Sequence, residues 1–169
     1  GEYAAGKDSA AQILKEMNFR IISFSEILKE ELQERKQKIT RESLIKMGDG
    51  LRARWGPEIL ARKALEKIDD GENFVFTSIR NTAEVELLRE RDDFLLVRVT
   101  APEQTRLHRV LRRNLNEDPK NLQELHVQEA LENSHEPFGQ QLQKVMRMAK
   151  VIVANHSSLE MLHQKMGKL

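Results

Sequence analysis

Four short apolar runs, separated by longer stretches of helical periodicity, restrict the folds open to this 169-residue chain. The runs occupy residues 19–24, 73–78, 94–99 and 151–154, and each is rich in Ile, Val, Leu or Phe. Such runs are typical of strands buried in a sheet. Because strands alternate with helices along the chain, we predict a parallel sheet covered on both faces and joined by right-handed crossovers. The expected fold class is therefore α/β, in a single domain over residues 1–169.

Periodicity and capping residues locate the segments between these runs. Helices are predicted at residues 9–17, 82–91, 122–134, 140–149 and 158–167. Four further helices are predicted between these segments. Ser25 and Thr40 are the expected N-caps of two of these helices. The other two begin near Pro57 and Pro102, because proline is well tolerated in the first turn of a helix. A turn is predicted at Asp70-Gly71 and a loop over residues 114–121.

Gly1 and Gly6 are separated by four residues, and Lys7 follows the second glycine directly. Glycines at this spacing let the backbone N–H groups point inward, where the dipole of the following helix also attracts an anion. The pattern is typical of a phosphate-binding loop in which Lys7 reaches the β- and γ-phosphates of a nucleotide. Asp8 stands where Ser or Thr usually binds Mg²⁺, and its carboxylate is also a hard oxygen ligand, with Ser9 one position later. The alternative is a glycine-containing turn before an ordinary helix.

Loops of this kind follow a buried strand, and the given sequence begins at Gly1. We therefore expect a short apolar strand upstream of Gly1. The four apolar runs favour this interpretation over an unrelated glycine turn, because they indicate the sheet that such a strand would join.

Ligands of parallel sheets bind outside the carboxyl ends of the strands. The segments at such ends, which can converge on one crevice, are residues 1–9, Ser25, residues 77–81, Thr100 and Asn155. Arg80 is placed there to hold a phosphate with its planar guanidinium group, although an arginine in a surface loop is the alternative. Asn155 lies in a loop that borders a nucleotide base or simply forms a turn.

Arginines in the helix after Thr40 are candidates for a phosphate contact. Arg41, at the start of this helix, is the expected ligand contact. Arg52 and Arg54 lie about three turns further along, so they cannot grip the same small group. For Arg52 and Arg54 the expected environment is a solvated basic face.

The helix after Pro102 carries four arginines, Arg106, Arg109, Arg112 and Arg113. Arg106, Arg109 and Arg113 have the i, i+3, i+7 spacing of one helix face. No acidic residue is interspersed among them, so surface ion pairing explains them poorly, whereas a transferring polyphosphate needs such cations. We predict a lid over residues 106–139, with a solvated charged face as the alternative.

Composition argues against several classes of function. Lys and Arg number 28 against 27 Asp and Glu, so the formal charge of +1 gives no general attraction to nucleic acid or membranes. The chain has no cysteine, which excludes disulfides and thiolate metal sites, and no two histidines have the i, i+4 spacing of a helical metal site. No apolar run approaches the roughly 18 residues of a membrane span, and no leader peptide is evident. A cytoplasmic location is the expectation.

With these features placed, the sequence resembles the P-loop kinases of the nucleoside-monophosphate-kinase superfamily. It is most similar to phage-type deoxynucleoside monophosphate kinases and to dephospho-coenzyme A kinases. The matching segments, in the same order over nearly the whole chain, are Gly6-Lys7-Asp8, residues 40–45 with Met47, Gly48, Leu51 and Arg52, residues 78–81 with residues 84–86, and residues 151–155 with residues 158–160. Ser78 departs from the pattern, because the phage-type enzymes have an Asp there, in an Asp-Val-Arg segment.

The resemblance implies a three-layer α/β/α P-loop fold and transfer of the γ-phosphoryl group of ATP, with Mg²⁺, to a nucleotide-like acceptor. The residues that it assigns to ATP are Gly1, Ala5, Gly6, Lys7, Asp8, Ser9, Arg106, Arg109 and Asn155, with Asp8 at the metal. The acceptor would be held by Ser25, Arg41 and Arg80, in a helical region over residues 25–68. The catalytic residues would be Lys7, Arg80, Arg109 and Arg113.

Two other functions fit the same residues. A kinase acting on dephospho-coenzyme A, or on another phosphorylated small molecule, would differ in its acceptor. A nucleotide-binding sensor or interaction module without transfer activity is favoured by Ser78 in place of an acid. The concentration of arginines after Pro102 disfavours the module, because binding alone does not need them. No nucleic-acid or membrane partner is expected for any of these functions.

Overall fold

The computed structural model describes residues 1–69, 71–113, 115 and 118–169. Within them the helices are α1 (Lys7–Glu16), α2 (Phe24–Glu34), α3 (Arg41–Trp55), α4 (Ile59–Leu65), α5 (Thr82–Leu88), α6 (Glu103–Arg113), α7 (Leu122–Ala130), α8 (Leu142–Met148) and α9 (Leu159–Met166). The strands are β1 (Phe19–Ser23), β2 (Asn73–Thr77), β3 (Val97–Thr100) and β4 (Val151–Ala154). The predicted α/β alternation is confirmed. The turn predicted at Asp70, and Asn114, Asn116 and Glu117 of the loop predicted over residues 114–121, lie outside the described residues.

The strands form two parallel pairs. β1 pairs with β2, with Phe19 opposite Asn73, and β3 pairs with β4, with Val97 opposite Val151. The parallel direction agrees with the prediction, but the strands that the structure describes make two two-stranded sheets rather than one continuous sheet.

The start of the chain lies at the edge of β3 that faces away from β4. The amide of Asn155 donates to the carbonyl oxygen of Thr100, so that carbonyl points towards β4. Carbonyls alternate in direction along a strand, and the Val99 carbonyl therefore points to the opposite edge. Gly1 stands there, so close that a side chain on it would overlap this oxygen.

Two hydrophobic clusters hold the elements together. The larger one packs β1 and β2 against α2, α3 and α4, with Phe24 meeting the ring of Phe76 edge-on at 6.3 Å between centroids. The smaller one packs β3 and β4 against α1 and α9, with Val99 and Val153 in the strands, Ala10 in α1 and Leu162 in α9. Since α1 also contacts β1 and β2, it connects the two strand pairs.

Most element ends lie close to the predicted positions, but α5 ends at Leu88 rather than at residue 91 and α7 at Ala130 rather than at residue 134. Thr40 caps α3 through a capping box with Ser43, as predicted. Ser25 does not cap α2, because β1 runs directly into the helix and Ser23 takes the N-cap position. β3 begins at Val97 rather than at residue 94. Among the helices that the structure describes, none combines the length and apolar character needed to cross a membrane.

Candidate functional site

A cleft of about 620 Å³ opens at the carboxyl ends of the strands. Its size is within the range typical of small-molecule sites. The predicted site residues that line it are Gly6, Lys7, Asp8, Ser9, Ser25, Arg80, Arg109, Arg113 and Asn155. Tyr3, Ser78 and Glu132 complete much of its polar wall. The described lining does not include four predicted site residues, Gly1, Ala5, Arg41 and Arg106.

Gly6 takes the left-handed conformation that the glycine spacing predicts. Gly6 is the N-cap of α1 with a φ of 97°, in the left-handed region that favours glycine. A side chain at this position would overlap the side-chain nitrogen Nδ2 of Asn155. This nitrogen donates to the carbonyl oxygen of Ala5 at 2.9 Å. Ala4 also has a positive φ of 56°. The loop is therefore held in a strained shape by Asn155, at the end of β4.

Lys7 lies at the first turn of α1 and points back across the loop. Its Nζ donates to the carbonyl oxygen of Glu2 at 2.7 Å. Burial lowers the pKa of the Lys7 ammonium group to about 8, and the positive charge of Arg80 acts in the same direction. Glu132 and Asp8 oppose this shift only in part. Lys7 is thus a weakly compensated cation, which an anion in the cleft would stabilise.

Arg80 is positioned by its backbone as well as by its side chain. Its amide donates to Oε2 of Glu84 at 2.8 Å, and its carbonyl oxygen accepts from the amide of Gln141 at 2.6 Å. Nη1 donates to the carbonyl oxygen of Ile79 at 3.2 Å, and Nη2 is 3.5 Å from Glu132. Ser78, two residues earlier, has a φ of 63°. Such strain is common at functional sites and is consistent with a backbone held for a ligand.

Arg52 stabilises the segment around Arg80 through Glu84. The prediction that the Arg52 side chain is solvated is wrong. The guanidinium group is buried and pairs with Glu84 at 2.8 Å. Glu84 also accepts from the amide of Asn81, whose side chain donates to the carbonyl oxygens of Pro137 and Gly139. The sequence places Arg52 on a charged helix, but its partner lies 32 residues away and could not be identified from spacing. Arg54 is exposed, as predicted.

Tyr3, which sequence reasoning did not single out, lies between two predicted site arginines. The guanidinium carbon of Arg41 is 5.2 Å from the centre of its ring, and that of Arg113 is 5.0 Å away. The Tyr3 hydroxyl donates to Asp118 at 2.8 Å, and the hydroxyl oxygen accepts from Arg113. Tyr3 therefore connects the start of the chain to both the start of α3 and the end of α6 through one aromatic ring.

The arginines of α6 occupy different environments. Arg109 donates to the carbonyl oxygens of Ala5, at 3.3 Å, and of Asn155, at 2.9 Å, so it reaches the loop itself. Arg106 is buried and donates to Tyr3 and Ala101 carbonyl oxygens and to the Glu129 carboxylate. A nucleotide could contact Arg106 only by displacing these partners. Arg112 is exposed in the last turn of the helix.

Glu132, the second residue that sequence reasoning missed, contributes a buried carboxylate to the cleft. It follows α7 and lies within 3.5 Å of both Arg41 and Arg80. No local signal marks it, because it is one of several acidic residues in a polar helical stretch. Only the fold brings it opposite arginines from two distant segments.

The exposed carboxylate of Asp8 and the hydroxyl of Ser9 are the groups at the start of α1 that could bind a metal. Among the described residues there is no group of three or more His, Asp or Glu side chains placed to bind a metal ion. Mg²⁺ usually takes one or two carboxylates together with phosphate oxygens and waters. Asp8 therefore fits a metal that arrives with a nucleotide rather than one bound by the protein alone.

Comparisons with known proteins identify relatives whose names state no activity. No family model matches the chain. A UPF0200/UPF0201 protein of Archaeoglobus fulgidus is 29% identical over 98% of this chain and 51% of its own length. A UPF0200 protein of Methanothrix thermoacetophila is 31% identical over 70% of this chain and 65% of its own length. A UPF0200 protein of Sulfurisphaera tokodaii is 25% identical, covering 100% of this chain and 92% of that protein.

The lengths of these relatives differ from that of this chain. The chain spans about half the length of the Archaeoglobus fulgidus relative and 65% of the Methanothrix thermoacetophila relative. Among solved structures, the crystal structure of TT1252 from Thermus thermophilus matches with a TM-score of 0.63, covering 99% of this chain and 92% of that chain. The sequences are 17% identical, so this likeness shows a shared fold.

Proposed function

We propose that this chain is an ATP-dependent phosphotransferase that acts on a phosphate-bearing small molecule, with a nucleoside monophosphate as the first candidate. One observation carries the proposal. A single cleft at the strand ends gathers the phosphate-loop residues Gly6 and Lys7, the strand-end Arg80, and Arg109 from α6. Several cations gathered in one cleft are what in-line phosphoryl transfer requires, since charge must be neutralised on the donor, the acceptor and the group between them.

Each residue has a role that follows from its position. The loop amides and Lys7 would bind the β- and γ-phosphates, and Arg41 and Arg80 the acceptor phosphate. Arg109 contacts the loop and is placed to stabilise the transferred group. Asp8 would hold Mg²⁺, which supplies charge neutralisation when bound with ATP. We also propose the three-layer P-loop arrangement, with a strand before Gly1 at the edge of β3.

Transfer of the γ-phosphoryl group to an acceptor phosphate can proceed with Ser78 in place of an acid. An acceptor phosphate oxygen attacks the γ-phosphorus, the bond from that phosphorus to the β–γ bridging oxygen breaks, and ADP leaves with the electron pair. A phosphate monoester has a second pKa of about 6, so at neutral pH its oxygen needs no base to remove a proton. A hydroxyl acceptor does need one. Transfer to a phosphate oxygen therefore does not require an acid at position 78.

Glu132 favours a second candidate, a kinase of dephospho-coenzyme A or of another hydroxyl-bearing acceptor. Its Oε2 atom is buried and without a hydrogen-bond partner among the described residues, so it could accept a proton. In that reaction the hydroxyl oxygen attacks the γ-phosphorus while its proton passes to the carboxylate. The two candidates differ in whether the acceptor is a phosphate oxygen or a hydroxyl.

The test is incubation with ATP and Mg²⁺ plus a panel of ribo- and deoxynucleoside monophosphates and dephospho-coenzyme A, with ADP release as the readout. We expect ADP release that depends on a monophosphate and is lost in Lys7→Ala. Full turnover in Lys7→Ala would contradict the proposal. ATP binding without acceptor-dependent ADP release would instead indicate a nucleotide-binding module.

A further inference from the structure

The carboxylate of Glu132 lies between the two arginines that the proposed function assigns to the acceptor phosphate. Its Oε1 atom is 3.5 Å from Nη2 of Arg41 and 3.5 Å from Nη2 of Arg80. The Glu132 side chain is 9% exposed, so water solvates it little. An internal oxyanion therefore already occupies the space between these guanidinium groups.

The fit of this carboxylate to the two arginines is poor. Charge-assisted N–H···O bonds are usually about 2.7–2.9 Å long, and both contacts exceed this. Oε2 of Glu132 is buried and has no hydrogen-bond partner within the described part of the chain. Oε1 alone contacts both guanidinium groups, whereas a phosphate presents three oxygens in different directions.

The backbone of Glu132 is fixed relative to Arg80. The carbonyl oxygen of Glu132 accepts from the amide of Leu142 at 2.9 Å, and the neighbouring amide of Gln141 donates to the carbonyl oxygen of Arg80 at 2.6 Å. Asn133 and Gln141 form an antiparallel bridge in the same segment. Only the side chain of Glu132 is thus free to give way when an anion enters.

We propose that Glu132 is an internal substitute for the acceptor phosphate, neutralising Arg41 and Arg80 in the free protein and yielding to a dianionic phosphate monoester. A dianion competes with one carboxylate for two arginines, whereas a monoanion gains little by displacing it. Glu132 therefore determines specificity for dianionic acceptors. This inference rests on the proposed function for the identity of the acceptor, but its test needs no turnover.

The experiment is calorimetric titration of inorganic phosphate into the wild type and Glu132→Gln at pH 7.5 and fixed ionic strength. Removing a competing charge is expected to tighten phosphate binding about tenfold. The exposed Glu90→Gln serves as the control and should bind like the wild type. Adding Arg80→Gln to Glu132→Gln should abolish the gain, because the two positions act on the same anion. Because the charge of Arg80 also acts on Lys7, Arg41→Gln added to Glu132→Gln is the double variant that separates the arginine pair from the phosphate loop as the place of binding.

Unchanged or weaker phosphate binding in Glu132→Gln would overturn the inference, because Glu132 would then merely hold the arginines in place. A fall in turnover at unchanged phosphate affinity would also overturn it and would make Glu132 a proton acceptor. If Glu132→Gln does not fold, Glu132→Asp, which retracts the charge, carries the test and should bind phosphate more tightly than the wild type. Tighter binding in a protein that transfers no phosphoryl group would leave this inference standing and reject the proposed function.

Discussion

Arg52 and Glu84 form a buried ion pair at 2.8 Å, with side chains 2% and 0% exposed. The second oxygen of Glu84 accepts from the amides of Arg80 and Asn81. This one carboxylate thus joins helix α3 to the strand-end segment that presents Arg80 to the cleft.

Replacing Arg52 by leucine should destabilise the fold strongly. Glu84 would remain as a buried charge without its partner, and such a loss typically costs about 3–5 kcal/mol of unfolding free energy. Urea denaturation measures the difference. Arg54→Leu is the matched control two residues away: Arg54 is exposed and stacks on Trp55, a contact worth about 0.5–1 kcal/mol. Equal losses of unfolding free energy in Arg52→Leu and Arg54→Leu would contradict a buried ion pair.

Gly6→Ala should disrupt the phosphate loop, whereas Gly50→Ala should be tolerated. At Gly6 a methyl group meets both a φ of 97° and the amide of Asn155. At Gly50, in α3, it meets nothing within 4 Å, and alanine favours a helix by up to about 1 kcal/mol over glycine. We expect Gly6→Ala to lose ADP binding and Gly50→Ala to keep it with a slightly higher melting temperature. If Gly6→Ala binds ADP as tightly as the wild type, this loop does not form part of the site.

The affinity for ADP should fall as the pH rises through the pKa of Lys7, at about 8. Bound phosphates favour the charged lysine, while the free protein loses that proton above pH 8, so binding must then take up a proton. The dissociation constant should increase by up to about tenfold per pH unit beyond this point. Lys7→Met should bind weakly with no such slope between pH 7.5 and 9.5. A wild-type affinity that is flat over this interval would show that Lys7 does not contact the phosphates.

Tyr3→Ala should weaken acceptor binding more than Tyr3→Phe does. Phenylalanine keeps the ring between Arg41 and Arg113, whose contacts contribute about 0.5–1 kcal/mol each, and loses only the hydroxyl. Titration with inorganic phosphate should show about a fivefold or greater loss for Tyr3→Ala and less than about a twofold loss for Tyr3→Phe. If the two variants lose equally, the hydroxyl contact to Asp118 matters and the stacking does not.

Replacing Arg109 and Arg113 together by alanine should depress turnover more than stability. Arg109 touches the loop carbonyls, and both arginines line the cleft, so the loss falls on charge stabilisation during transfer. We expect at least about a hundredfold loss of turnover. Arg147→Ala, on the exposed face of α8, should leave turnover unchanged. Unchanged kinetics in the Arg109 and Arg113 double variant would exclude both from catalysis.

Local sequence signals predicted most helices and strands, but they did not predict the ion pairs between residues far apart in the chain. The Thr40 cap depends on the nearby Ser43, so its structure follows from the sequence, whereas the Gly6 turn has a local glycine signal but is also held by the distant Asn155. β3 begins later than predicted, because Phe94 and Leu95 are apolar without belonging to the strand. Phe94 instead packs on the larger hydrophobic cluster. Arg52 and Glu132 take their roles from partners far along the chain, which spacing cannot reveal.

The most direct measurement follows the terminal phosphoryl group itself. ATP labelled in its γ-phosphate is mixed with Mg²⁺, the wild-type protein and each monophosphate in turn, and the products are separated. We expect label on the acceptor, with ADP formed in equal amount, and no transfer in Lys7→Ala. Label that stays on ATP, or that appears only as inorganic phosphate whichever acceptor is present, would contradict the proposed function.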